Sequence, residues 1–212
     1  MTFDASLVSP RRSFLARLAA ATAAFGLGAA PAHAEGFPAS AQDEPWMKKL
    51  TGAQKVLFHA HEPTGGTPLR WAETFLNTQK NVYGKKDEDS TVVVGLNGRA
   101  IGLLFNDTMW AKYPVAQTMS MTGTSNPAGP SGSNQVAQLL SRGVIILACR
   151  NALNLSGQRF LPEAQRGDAA ARTAFGAEAT ANLLAGIEVV PSMVVTLQMA
   201  QDRGCRYVYA GG

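Results

Sequence analysis

Apolar positions recur along the chain in two alternating rhythms. KVLFHA (55–60) is a short, nearly unbroken apolar run between turn signals, the pattern of a strand buried on both faces. Beyond PTGGTP, residues Leu69, Ala72, Phe75, Leu76 and Val82 return at helical spacing, with Thr67 placed as the N-cap and Pro68 in the first turn. A charged loop, GKKDEDS, leads to TVVVGL (91–96), a second apolar strand. Asn97-Gly98 opens RAIGLLF, which reads as a short helix, and NDTMWAKY (106–113) reads as another, capped by Asn106 or Asp107. Segment 118–134 is rich in Gly, Ser, Pro and Asn, and so long a stretch without pattern marks a functional lid or a mobile loop. Asn134 is placed to cap a short helix carrying Val136, Leu139 and Leu140, closed by Gly143. VIILA (144–148) supplies the third and most hydrophobic strand. A helix follows Cys149, then an irregular insert to about Gly176 and a helix over 178–184. IEVVP is strand four. Ser192 caps a last helix with Met193, Val194, Leu197 and Ala200 inward, and RYVYA, after Gly204, is strand five. Strands apolar throughout, alternating with helices, predict an α/β domain: three layers, α/β/α, around a five-stranded and mainly parallel sheet.

The amino-terminal residues stand outside this pattern. Ser9-Pro10-Arg11-Arg12-Ser13-Phe14-Leu15 is a twin-arginine export motif, followed by a weakly apolar, Ala-rich run and the A-x-A site Ala32-His33-Ala34. Arg17 and the small residues around it argue against a transmembrane helix. Residues 1–34 are therefore expected to be a cleaved signal peptide directing the chain to the bacterial periplasm, with 35–52 as a polar leading segment and 53–212 as the domain. No membrane span is expected once the leader is removed.

Removal of the leader changes the charge. The chain has 19 basic and 15 acidic residues; without the leader's three Arg and one Asp, 16 and 14 remain. That near balance gives no electrostatic footprint for nucleic acid, which is not expected as a partner. The 178 remaining residues suffice for one domain with a core. His33 goes with the leader, leaving His59 and His61, while both cysteines, Cys149 and Cys205, are kept.

In a parallel sheet, chemistry collects at the carboxyl ends of the strands. Strand one ends in His59-Ala60-His61-Glu62 and strand three in Cys149-Arg150-Asn151. A thiol between strand and helix has several routes to a lowered pKa: helix amides, the charge of Arg150, and a nearby imidazolium. Cys149 reads equally as a reactive thiol and as a small buried apolar residue. Cys205 follows Gly204 at the opposite edge of the sheet, beyond the Cα separation of about 7 Å that a disulfide allows, so no Cys149–Cys205 bridge is expected. His59, His61 and Cys149 could supply ligands to copper or zinc, with Met119 and Met121 as further soft donors; a hydrogen-bonded structural histidine pair is the other reading. Thr64-Gly65-Gly66-Thr67 resembles part of the flavodoxin phosphate loop over four residues, and reads as well as a capped turn. No G-x-S-x-G nucleophile elbow is present.

Four segments in order, KVLFHAHEP, TVVVGLNGRAIGLL, GVIILACRNAL and GIEVVPSMVVTLQMAQDRGCRYVYAG, resemble the DsrE/DsrF-like sulfur-relay family over about 55–209. The resemblance implies the DsrEFH-like α/β/α domain, frequent homo-oligomers, and in some members a cysteine that carries sulfur as a persulfide. Cys149 matches that cysteine and His59 a recurrent family position; Arg150 is added on its charge alone. The leader and the length of 154–176 depart from the family pattern. The functions in view are a periplasmic thiol relay through Cys149, with Arg150 and His59 in support and a protein donor or acceptor of sulfur, and a soft-metal or small-ligand module at His59, His61 and Cys149. Flavin binding at TGGT and assembly without chemistry complete the set.

Overall fold

The computed structural model describes residues 44–211. The expected twin-arginine leader and the segment up to residue 43 lie outside the described residues. Three strands carry the centre: β1 (Gln54–Ala60), β2 (Ser90–Leu96) and β3 (Ile145–Cys149), each buried along nearly its whole length. β4 (Glu188–Val190) and β5 (Arg206–Tyr209) flank them. The order is β4-β3-β2-β1-β5, and every pairing is parallel. Among the described residues, eight α-helices connect and cover the strands: α1 (Thr67–Tyr83), α2 (Asp107–Lys112), α3 (Val115–Thr118), α4 (Gln135–Ser141), α5 (Arg150–Asn154), α6 (Gly157–Phe160), α7 (Ala169–Ala181) and α8 (Met193–Asp202).

Strand parity assigns helices to faces. The Phe58 ring meets Trp71 and Phe75 of α1 edge-on, with centroids 6.3 and 6.2 Å apart. His59 pairs in register with Gly95 of β2, and Met193 of α8 lies against Gly95. Successive strand residues point to opposite faces, so α1 and α8 cover opposite sides and the architecture is α/β/α. Leu147 pairs with Gly95 and Cys149 lies two residues on, which places Cys149 on the α8 face, as His59 is.

The apolar pattern fails at the sheet margins. β5 was expected to be buried on both faces, yet Tyr207 and Tyr209 are exposed, because β5 is an edge strand. Val82 and Val194 also point to solvent. Val82 lies six positions beyond Leu76, about 120° around the helix from it at 3.6 residues per turn, and Val194 sits beside the stripe formed by Met193, Thr196, Met199 and Ala200. Trp46 and Met47, in a 3-10 turn over Pro45–Lys49, are buried, so part of the leading segment 35–52 packs with the domain.

Two stretches expected to be irregular are ordered. α7 begins at Ala169, where the Asp168 carboxylate accepts from the N–H groups of Ala170 and Ala171. An alanine-rich helix carries high propensity but little hydrophobic contrast, which is why periodicity missed its first half. In 118–134 the anchor is Asn126, fully buried, donating to the carbonyls of Leu103 and Phe105 and accepting from Ala128 N–H. The capping assignments also change. Gly66 and not Thr67 holds the cap position of α1, Asn134 is left-handed at φ 54° with no side-chain cap bond, and Ser192 makes none either. RAIGLLF is helical, as a 3-10 run over Gly98–Leu104, and Asn106 caps α2 by accepting from Met109 N–H.

Candidate functional site

Cys149 is the last residue of β3 and the cap position of α5. It is 5 % exposed, and its sulfur accepts a hydrogen bond of 3.3 Å from Met193 N–H, at the start of α8. Strand parity explains the meeting, since α8 covers the face on which Cys149 lies. The residue also lines a cavity of about 180 Å³, together with His61, Asn97, Asn151, Ser192 and Arg159. Cys149 is thus packed against α8 on one side and borders this cavity, whose wall mixes polar and apolar groups, on the other.

The expected partners are distributed differently. Arg150 is exposed and does not line this cavity; the guanidinium that does is Arg159, from α6. As the first residue of α5, Arg150 is directed outward by the turn that follows the strand. Arg159 lies in the stretch that gave no motif, so position along the chain offered no signal for it.

His59 is buried and lies two strands from β3, about 10 Å sideways at ordinary strand spacing. Its Nδ1 lies 3.0 Å from the Tyr207 hydroxyl and its Nε2 lies 3.2 Å from Asn97 Oδ1. With Asn97 accepting, Nε2 carries the proton and Nδ1 accepts from Tyr207. Burial pushes the imidazole below its ordinary value, against an upward pull from Asn97, and His61 adds a smaller push downward. His59 therefore reaches the Cys149 cavity only through Asn97.

His61 is half-exposed, and its ring covers Gly98 closely enough to leave no room for a Cβ there. Gly98 also has φ +54°, a left-handed conformation that glycine adopts at no steric cost. His61 Nε2 is 4.0 Å from Glu62, whose other oxygen accepts from Arg99 Nε at 2.6 Å. His61 and Cys149 thus share a cavity, while His59 has both ring nitrogens engaged elsewhere. Among the described residues, no group of three or more His, Cys, Asp or Glu is arranged to hold a metal ion. Met119, expected as a soft donor in a loop, is instead buried with its sulfur against Gly102, and Met121 lines a separate cavity beside Gly65 and Gly66.

At TGGT the hydroxyls are committed internally. Thr67 Oγ1 donates to Thr64 O at 2.6 Å, Thr64 Oγ1 donates to Ala210 O at 3.3 Å, and Arg70 Nη2 donates to Thr67 Oγ1 at 2.8 Å. This turn fastens α1 to the segment beyond β5. Cys205, buried just before β5, has its thiol pushed up by burial; both cysteines are free.

Fold and site together define the chain as a three-layer α/β/α protein with a thiol at a strand end. No protein-family model matches it, and no curated protein does. Among solved structures it is similar to MTH1491, a protein of unknown function from Methanobacterium thermoautotrophicum, at 20% identity over 74% of this chain and 98% of that one, with a TM-score of 0.46. That likeness carries no functional argument; the architecture rests on the strand order and pairings.

Proposed function

We propose that this protein is an exported, DsrE-like sulfur carrier that holds sulfane sulfur on Cys149 as a persulfide. The observation that carries this reading is that Cys149, at the end of β3, lines a small cavity of mixed polar and apolar wall while its sulfur accepts the Met193 N–H. The thiolate is the nucleophile in persulfide exchange. The resemblance of GVIILACRNAL to the cysteine-bearing segment of the family, and the twin-arginine leader, supply the sulfur chemistry and the periplasmic location.

The Cys149 thiolate attacks the outer sulfur of a donor persulfide, R–S–SH. The donor's S–S bond breaks, a new S–S bond forms on Cys149, the proton stays on the transferred sulfur, and R–S⁻ departs. An acceptor thiolate reverses the step. No external oxidant is consumed. His59 is a positioning residue, orienting Asn97 at the cavity wall.

Intact-mass measurement after exposure to a small-molecule persulfide tests the reading. A gain of about 32 Da is expected in the wild type and in Cys205→Ser but not in Cys149→Ser. A folded protein in which Cys149 stays unmodified would refute it.

A further inference from the structure

A second cleft, of about 780 Å³, lies alongside the thiol cavity and shares one residue with it, Arg159. Its wall also holds Arg99, Arg166, Gln117, Gln158 and Thr118. It draws on segments that follow β2 and β3, the same end of the sheet as Cys149. Three guanidinium groups meet here against two carboxylates, Glu163 in the wall and Glu62 bonded to Arg99, so the cleft is net positive. Arg99 and Arg166 are held through Nε, to Glu62 at 2.6 Å and to the Leu161 carbonyl at 2.8 Å. Arg159 differs. Its Nη1 is out of solvent contact and has no hydrogen-bond partner.

Nη1 itself is sealed from the cleft, so it is the remaining guanidinium nitrogens of Arg159, from which no described residue accepts, that are left to donate to a ligand there. Oxygens of a carboxylate, a phosphate or a sulfur oxoanion are the acceptors that several arginines together select, and the thiol cavity alongside favours a sulfur-bearing carboxylate among them. The cleft falls in the size range of sites for small molecules rather than single ions.

We infer that this cleft binds a small molecule bearing two or more oxoanion groups, such as a short peptide thiol with two carboxylates. Arg159 holds one such group and thereby sets the ligand's sulfur toward Cys149. The second clause rests on the carrier reading of Cys149; the anion site does not. The donor class is thus a low-molecular-weight anionic persulfide.

The test separates the two. Isothermal titration of Cys149→Ser protein at low salt uses glutathione, a dicarboxylate peptide thiol, and thiosulfate, an inorganic sulfur oxoanion. Saturable glutathione binding is expected, weakened roughly tenfold or more by Arg159→Gln and also by Arg166→Gln, an exposed position where a circular-dichroism melt checks that losing the bond to Leu161 O leaves the fold intact. Saturable thiosulfate binding with none for glutathione would overturn the peptide-thiol assignment. Absence of saturable binding for both probes, or binding unchanged in both arginine variants, would overturn the anion site. Glutathione binding alongside a wild-type Cys149 that takes up no sulfur would overturn the carrier and leave the cleft standing. Sulfur uptake at rates unchanged by Arg159→Gln would do the reverse to the link between them.

Discussion

Replacing Asn126 with alanine is expected to cost the protein about 3–5 kcal/mol. The side chain is fully buried and makes three hydrogen bonds: to Leu103 O at 2.8 Å, to Phe105 O at 2.6 Å, and from Ala128 N–H at 2.9 Å. Truncation leaves two carbonyls and one amide without partners, each residue essentially sealed from solvent. An unsatisfied buried group costs about 1–3 kcal/mol, and the three are not strictly additive because the loop can relax. Asn126→Asp sharpens the test, since it keeps the acceptor for Ala128 but sets an oxygen against two carbonyl oxygens. It should be at least as damaging as alanine. Equilibrium urea unfolding, followed by circular dichroism, reads the loss; at an m value of about 2 kcal/mol/M the midpoint falls by roughly 1.5–2.5 M. A loss under about 1 kcal/mol for Asn126→Ala, or an Asp variant milder than Ala, would refute the account of how 118–134 is held. Thr118 borders the arginine cleft and bonds to Arg159 O at 3.2 Å, so loosening this segment should also weaken glutathione binding there.

Two further predictions concern the histidines. Burial makes His59 harder to protonate in the folded protein than in the unfolded chain, so its contribution is fully present above about pH 6.5 and is lost as pH falls from there toward the lower folded value. The Tm of the wild type should drop more between pH 7 and pH 5 than that of His59→Gln; parallel curves would show that the imidazole is not responsible. Gly98→Ala places a Cβ in the His61 ring at a positive φ, for an expected loss of about 1–3 kcal/mol. The damage should be partly relieved in a His61→Ala background, and strict additivity in the double-mutant cycle would exclude the clash.

Much of the fold was legible because the central strands bury both faces, which leaves KVLFHA, TVVVGL and VIILA as unmistakable apolar blocks. Edge position was not legible: RYVYA is as apolar in composition as a central strand, and only the order of pairing exposes its tyrosines. The segment around Asn126 defeated pattern reading because a single buried amide, not a periodic stripe, fixes it. At the site, the strand-end rule located Cys149, His59 and His61 at one rim of the sheet. It could not say which cation would lie near the sulfur. Arg150 is adjacent in sequence but turned outward, whereas Arg159 arrives from a helix two short elements later. Asn97, read as part of a turn, became the link between His59 and the cavity for the same reason: contacts across strands have no local signature.

The placement of the two thiols has a consequence for turnover. Cys149 ends β3 and Cys205 precedes β5, at opposite edges of the sheet and three strand spacings apart, roughly 14 Å sideways. A resolving cysteine within the same fold, of the kind that discharges many oxidoreductases as an internal disulfide, is therefore lacking among the described residues. Any adduct formed at position 149 has to be discharged by a nucleophile from another molecule, which makes emptying the site second-order and dependent on the concentration of that molecule.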